Sequence, residues 1–356
     1  MKTVVVGMSG GVDSSVTALL LKEQGYKVIG LFMRNWEEDE ECPAAQDYED
    51  VVAVCHQLDI PHYSVNFSKE YWNEVFLHCL QEYAAGFTPN PDILCNREIK
   101  FKVFLQRALA LGGDYLATGH YCRRLERGGQ WHLGRGLDPE KDQSYFLYTL
   151  KSSILKRVLF PLGELHKTEV RALAERYGLE TARKKDSTGI CFIGKRDFKS
   201  FLSRYLAPEP GNFETLSGRV VGRHEGIAFY TIGQRKGLHI GGEGEAWFVV
   251  GKDPARQVVY IEQGDHPALY AEGLMAMEGS WIGGVPTFPL RCQAKIRYRA
   301  QDVACTLYEE RGGLKVIFDE PQKAVTPRQS IVFYQNELCL GGAMIEQPLP
   351  NILVVS

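Results

Sequence analysis

Apolar residues come first as a short run, Val4–Met8, then at helical spacing from Ser14 to Gln24, then as a second run, Lys27–Met33. Continuous apolar runs of that length, separated by one amphipathic helix, predict parallel strands buried on both faces in a right-handed βαβ unit. Gly25 supplies the helix stop. The same alternation continues with a helix over Tyr48–Leu58, a strand over His62–Asn66, helices over Lys69–Ala85 and Glu98–Leu111, and a strand over Tyr115–Thr118. The acidic run Glu37–Glu41 reads as a solvated loop, and Thr88–Asn96 as a proline-pinned loop between the two long helices. The expected architecture is α/β, a doubly wound parallel sheet with its ligands at the carboxyl ends of the strands.

From Tyr121 to Leu137 the pattern predicts a hairpin flap turning at Gly128-Gly129. Helical patterns follow over Gln143–Leu150, Lys167–Tyr177 and Arg196–Tyr205. Past Pro208-Glu209-Pro210-Gly211 the period changes to two. Short alternating runs (RVVGRH, GIAFYTI, AWFVVG, VVYIE, LKVIF, SIVFY, CLGGAMIE) recur between Gly, Asn and Asp. That spacing predicts two small all-β modules, the last barrel-like. The expected division is residues 1–207, 208–271 and 272–356, the second boundary lying near Tyr270–Gly273.

Composition narrows the class without naming it. A chain of 356 residues with 44% hydrophobic and 24% charged content is an ordinary globular one, and a net charge of −3 neither favours nor excludes nucleic acid. No apolar run reaches membrane-spanning length, so no membrane partner is expected. Nine cysteines, an odd number with no CxxC pair, read as reduced thiols in a cytoplasmic protein and disfavour a preformed metal site.

The chemistry gathers at four places. Ser9-Gly10-Gly11-Val12-Asp13-Ser14-Ser15 joins the first strand to the first helix, where free backbone amides and the helix dipole favour an anion. Asp13 is placed to take a magnesium ion. The loop lacks the lysine of a Walker sequence. Cys95 ends the Thr88–Asn96 loop, and its position alone reads first as a small buried side chain. Cys191, flanked by Gly189, Gly194 and the cations Arg183-Lys184-Lys185, is balanced between a packed thiol and an activated one. Arg291, Gln293, Lys295, Arg297 and Arg299 alternate with Cys292, Ala294, Ile296, Tyr298 and Ala300. On a strand that is either a solvated barrel exterior or a stripe for a phosphate backbone.

Taken in order, GMSGGVDSS (Gly7–Ser15), TPNPDILCNREIKF (Thr88–Phe101), ATGHY (Ala117–Tyr121), KDQSYFL (Lys141–Leu147), DSTGICFIG (Asp186–Gly194), YTIGQRKGL (Tyr230–Leu238) and LGGAMIE (Leu340–Glu346) resemble the bacterial tRNA-specific 2-thiouridylase family. The loop itself resembles the PP-loop of the ATP pyrophosphatase superfamily, whose fold is the adenine-nucleotide-hydrolase type. The resemblance covers essentially the whole chain. It implies ATP-dependent thiolation of the wobble uridine in tRNAs for Lys, Glu and Gln, by adenylation of the C2 oxygen and sulfur transfer from a cysteine persulfide. It implies ATP contacts at Gly7, Met8, Ser9, Gly10, Gly11, Val12, Asp13, Ser14, Met33 and Gly119, with Mg2+. Asn90, Pro91 and Asp92 would touch the target base, Asp92 being the general acid/base. Cys191 would carry the persulfide sulfur, and Cys95 would form a transient disulfide with it or help release sulfide. His120, Lys141, Asp142, Gln143, Arg297, Tyr298 and Gln329 would contact the tRNA anticodon arm. The sulfur donor would be a relay protein or a cysteine desulfurase. Two other classes stay open: another AMP-forming enzyme of the superfamily (an amidotransferase synthetase or a lysidine-type ligase), and a nucleotide-switched RNA-binding protein. An iron–sulfur cluster at Cys95, Cys191 and Asp92 also stays open, disfavoured by the missing CxxC.

Overall fold

The computed structural model describes residues 1–36, 44–186 and 198–350. The acidic run Glu37–Glu41 and the thiol Cys191 lie outside these described residues. The first sheet holds β1 (Thr3–Met8), β2 (Lys27–Arg34), β3 (His62–Asn66) and β4 (Tyr115–Ala117). After a hairpin of β5 (Cys122–Arg127) and β6 (Gln130–Arg135), β7 (Val158–Leu159) completes it. Its order is β3-β2-β1-β4-β7 and every pairing is parallel. Side-chain alternation sends Val5, Leu31 and Met33 into one apolar layer, and Val4, Val6, Met8 and Phe32 into the other. The first layer is roofed by helices over residues 68–84 and 91–110. The second is roofed by α1 (Val12–Glu23), α2 (Ala44–Gln57) and the helix Lys167–Arg176. This is the doubly wound sheet that the apolar runs predict.

Two local expectations need correction. Helix 91–110 begins at Pro91 rather than Glu98, so Cys95 lies inside the helix and not at the end of a loop. Asn90 is its N-cap, accepting the Ile93 amide at 3.3 Å, with Pro91 in the first turn where a missing N–H costs nothing. Residues 95–104 are wound as π-helix. The second correction is at Gln143–Leu150, where the helix is only a 3-10 turn, Ser144–Leu147. Buried Asp142 accepts the Ser144 amide and hydroxyl and, from outside the turn, the Gly136 amide, which ties the chain down before a longer helix forms.

The central module is a four-stranded sheet of β8 (Gly211–Glu214), β9 (Val220–His224), β10 (Trp247–Asp253) and β11 (Val258–Gln263), in the order β10-β11-β8-β9. The run GIAFYTI is not a strand of it. Ile227 and Tyr230 both point into the core, a spacing of three that suits the 3-10 turn Ile227–Phe229 and not a pleat.

The last module has β12 (Tyr270–Trp281), β13 (Leu290–Lys295), β14 (Val303–Glu310), β15 (Gly313–Lys323), β16 (Ser330–Gln335) and β17 (Leu338–Pro350). Pairing of β12 with both β15 and β17 closes it into a six-stranded barrel. The predicted flap is a strut: β6 pairs with β17 through Gly134–Leu338 and Leu133–Cys339, so the hairpin extends the barrel sheet. Arg123 and Arg127 bind Glu337, and the Arg135 guanidinium stands 3.6 Å from the Tyr334 ring centroid. The basic run does not stay on one strand. β13 ends at Lys295, and a turn closed by the Ala300 amide on the Arg297 carbonyl (3.0 Å) carries Arg297 and Arg299 past it, while Arg291 is paired with Asp319.

All three parts meet at residues 82–89. Gln329 of the barrel donates to the carbonyls of Thr88 (2.6 Å) and Pro89 (3.3 Å), and Arg328 pairs with Glu82 at 3.0 Å. From the central module, Thr231 meets the Thr88 hydroxyl at 3.2 Å and Lys252 donates to the Gly86 carbonyl at 2.7 Å. Burial pulls the Lys252 ammonium down to about 8. Below that pH the amine is charged in the folded and unfolded chain alike, and burial opposes folding. Between about 8 and the ordinary lysine value the folded chain binds fewer protons, so stability rises with pH. Relative to Lys252→Met, the wild type should gain stability from pH 8 to pH 10, by at most about 1.4 kcal/mol per pH unit. Urea unfolding across that range, with a flat difference counting against the buried amine, checks it.

Candidate nucleotide and RNA site

The sheet order reverses at β1, whose neighbours β2 and β4 send their following segments to opposite faces. The carboxyl ends of the strands at such a reversal are where open α/β sheets take their ligands. The Ser9–Ser15 loop lies there, directly after β1. Gly10 takes φ +72°, and a β-carbon on it would stand 2.4 Å from the Asp47 carbonyl oxygen, so only glycine lets α2 lie against the loop. Gly11 is the N-cap of α1 and makes no side-chain cap hydrogen bond, so the first amides of that helix have no capping side chain. Ser14 stiffens the loop from within: its hydroxyl donates to the Gly11 carbonyl at 3.1 Å and accepts the Ser9 amide at 3.1 Å. Gly119, just past β4, backs onto α1, since a β-carbon there would lie 3.1 Å from Asp13 and 3.2 Å from the Ser14 nitrogen. Met33 is buried at the end of β2. Gly7 and Met8 are the last residues of β1. A β-carbon on Gly7 would touch the Phe104 ring of helix 91–110 at 3.0 Å.

Asp13 is the hub of a charged ring. Its Oδ1 accepts the Tyr121 hydroxyl at 2.8 Å and the Lys167 ammonium at 2.6 Å. Lys167 reaches Asp186 at 2.9 Å, and Asp186 also receives Lys141 (2.8 Å) and Arg171 (2.7 Å). Burial works against the Asp186 charge, but hydrogen bonds from Lys141 and Lys167 outweigh it and hold the carboxyl at about 2. Gln143 closes the ring, exchanging two hydrogen bonds with the Tyr121 backbone (2.9 and 3.0 Å). Of the residues expected at tRNA, Lys141 and Gln143 are therefore tied into the framework of the nucleotide loop, and Asp142 is buried beneath them.

His120 packs against Phe101 and Phe160, and its Nδ1 meets the Thr118 hydroxyl at 2.8 Å. Burial, with Lys100 nearby, pushes its pKa well below the usual histidine range, so the ring is neutral at pH 7. The barrel touches the same rim. Tyr298 packs on Phe146 of the 3-10 turn with centroids 4.4 Å apart, Arg297 donates to the Lys323 carbonyl, and Gln329 holds Thr88 and Pro89, just ahead of Asn90. Asn96 reaches the Phe146 carbonyl at 3.3 Å. Asn90, Pro91 and Asp92 are partly exposed, whereas Cys95 is fully buried in the core layer with Met33, Ile93 and Ile99. Burial pushes Cys55 up to about 11 and Cys79 to about 12, and raises Cys122 and Cys339 as well. Cys305 is raised by its hydrogen bond with Cys292 and then by burial. These thiols are inert at neutral pH. No group of three or more metal-ligating side chains occurs among the described residues, and none of their helices is long and apolar enough to cross a membrane.

Three site residues are not evident from sequence patterns: Tyr121, Lys167 and Asp186. Tyr121 and Asp186 stand at the edges of two motifs, but Lys167 reads only as the start of a helix.

A parallel sheet that offers a lysine-free glycine–serine loop at its reversal point, and carries a small β module and a closed barrel, defines a nucleotide-binding α/β protein of the HUP class. Family models agree along the chain: a tRNA methyl transferase HUP domain over residues 2–195, a tRNA methyl transferase PRC-barrel domain over 199–263, and an aminomethyltransferase beta-barrel domain over 271–345. The tRNA-specific 2-thiouridylase MnmA of Protochlamydia amoebophila is 60% identical, over 98% of this chain and 95% of its own length. That of Halalkalibacterium halodurans is 58% identical over 97% and 95%, and that of Stutzerimonas stutzeri 56% over 98% and 95%. The chain belongs to the tRNA-specific 2-thiouridylase MnmA family.

The glycines rank the site's tolerance. Overpacking costs about 1–3 kcal/mol where neighbours can shift. Gly119→Ala should weaken ATP binding roughly tenfold with a melting point lowered by only a few degrees. Gly10→Ala, which meets backbone at a positive φ, should lose more of both. Calorimetric titration with ATP beside thermal melts reads the order, and equal effects would mean that the loop is not held as described.

Proposed function

We propose that this chain thiolates C2 of the wobble uridine in tRNAs for Lys, Glu and Gln, using ATP. One observation carries the reading: identity of 60% with a tRNA-specific 2-thiouridylase extends over nearly the whole of both chains, so it spans the nucleotide loop, the helix of Asp92 and Cys95, and both β modules. The chemistry explains the parts. A uridine C2 carbonyl is a weak electrophile with a poor leaving group. Attack of its oxygen on the α-phosphorus of ATP breaks the α–β bridge and expels pyrophosphate, which the loop amides and the N-terminus of α1 hold. The loop contacts are Gly7–Ser14, with Met33 and Gly119 lining the nucleotide. Asp13, the one carboxylate of the loop, would hold a Mg2+ ion together with the phosphates, and that ion would supply positive charge against the leaving pyrophosphate.

The oxygen of the base is now an ester of AMP. A persulfide on Cys191 brings sulfur at the sulfane level. Its terminal sulfur attacks C2, AMP leaves with the oxygen, and C2 is bonded to sulfur still linked to Cys191. Cys95 as thiolate then takes the Cys191 sulfur, forming a Cys95–Cys191 disulfide and freeing the thiolated base; two electrons from a thiol reductant restore both cysteines. In the alternative order Cys95 first releases sulfide from the persulfide, with the same disulfide left behind. Asp92 serves as general acid/base beside Asn90 and Pro91, which touch the base. Cys95 is buried in this conformation, so either order needs movement around helix 91–110. Extrusion of the base from the anticodon stack pairs with the wide rim of His120, Lys141, Gln143, Arg297, Tyr298 and Gln329. The sulfur donor is a relay protein or a cysteine desulfurase, and the setting is cytoplasmic.

Cys191→Ser should release pyrophosphate and AMP-linked tRNA but make no 2-thiouridine. Incubation with ATP, unmodified tRNA and a persulfide source, followed by nucleoside analysis and an AMP-to-ADP ratio, tests it. Full thiolation by that variant, or activity surviving loss of both Cys95 and Cys191, would move the chain to another AMP-forming reaction.

A further inference from the structure

The anion site has a deficit that the chain makes good elsewhere. Four phosphate charges must be met, yet Ser9–Ser15 contains no cation. Among the described residues, an ammonium reaches the loop from Lys167, 154 positions after Asp13, and lies 2.6 Å from the Asp13 carboxylate in the first turn of α1. It is buried, 5.6 Å from the centroid of the Tyr121 ring. Its backbone is pinned as well: Asp138 accepts the Lys167 amide at 2.9 Å, which fixes the start of that helix.

The charges around it are unbalanced in a useful direction. Three cations, Lys141, Lys167 and Arg171, face two carboxylates, Asp13 and Asp186. Asp186 alone is bound by all three cations, so Lys167 can leave Asp13 and Asp186 without stripping Asp186 of partners. An amine shared between two carboxylates at the edge of an anion site is a cation held ready for a stronger anion. Tyr121 also donates to Asp13, so the carboxylate would retain a partner after such an exchange.

We propose that Lys167 is a triphosphate-binding residue of this enzyme, moving from Asp13 onto a phosphate oxygen of ATP and supplying from a distant helix the cation that the loop lacks. The proposal rests on the reading that Ser9–Ser15 holds ATP. It makes the ring of Asp13, Tyr121, Gln143, Lys141 and Asp186 the device that keeps the ammonium at the loop before nucleotide arrives.

The test compares ATP with AMP, which lacks the β and γ phosphates. Lys167→Met should weaken ATP binding at least tenfold, the effect of losing a charge-assisted hydrogen bond, and AMP binding by no more than twofold. Lys167→Arg should recover most of the loss. Equal weakening of both nucleotides, or of neither, overturns the assignment. A second measurement uses unaltered protein: an acyl-phosphate derivative of ATP acylates whichever amine lies at the phosphates. Label on Lys167 that excess ATP blocks supports the proposal; label on Lys141 or Lys184 instead overturns it. Wild-type protein that binds no ATP would refute the functional reading itself, a result separate from either outcome for Lys167.

Discussion

The structure depends on a reversal of strand order. The chain leaves β1 toward β2 and β3 on one side, then returns to build β4 and β7 on the other. Right-handed crossovers put helices on opposite faces as the direction changes, so no helix covers the carboxyl end of β1. Every feature of the nucleotide site follows from that opening. The glycine loop turns there, between β1 and the start of α1 at Val12. Gly119 abuts α1 because β4 is the next strand. Tyr121 and Lys167 reach Asp13 because both follow strands or turns on the same side of the reversal.

The two β modules are fastened to this sheet rather than hung from it. A hairpin drawn from the first half of the chain extends the barrel sheet through β17, and its Arg123 and Arg127 pair with Glu337 and its Arg135 with Asp302. On the other side Gln329, Arg328, Thr231 and Lys252 close on residues 82–89. The segment leading into Asn90, Pro91 and Asp92 is thus positioned by all three parts together. Without the modules the Gly86, Thr88 and Pro89 carbonyls and the Thr88 hydroxyl would lose these partners. The modules give that segment its shape, and Gln143, by its two hydrogen bonds with the Tyr121 backbone, and Lys141, through Asp186, tie residues 141–143 to the glycine loop.

Much of this is legible in order of residues, and the failures are instructive. Val4–Met8 and Lys27–Met33 declare buried parallel strands because their apolar runs are unbroken. The two prolines of Thr88–Asn96 read as a rigid loop ending near Cys95; Asn90-Pro91 is in fact an N-cap followed by an N1 proline, a start signal that the pattern contains. Gln143–Leu150 has helical spacing but loses the helix to Asp142, which bonds both Ser144 and Gly136. The run from Arg291 to Arg299 alternates perfectly and still leaves its strand at Lys295, because alternation reports the pleat and not where a turn interrupts it.

By itself the sequence determined the α/β character, the β modules, the glycine loop between the first strand and the first helix, and, through its ordered motifs, the family. These are properties of residues close together in the chain, where backbone dihedrals, apolar period and helix capping act. Tertiary structure alone decided that Lys167 and Asp186 stand at Asp13, that the hairpin belongs to the barrel sheet, and that Gln329 holds Thr88 and Pro89. Such contacts join groups more than a hundred positions apart, and their energy depends on distance and burial in space, which no spacing along the chain encodes.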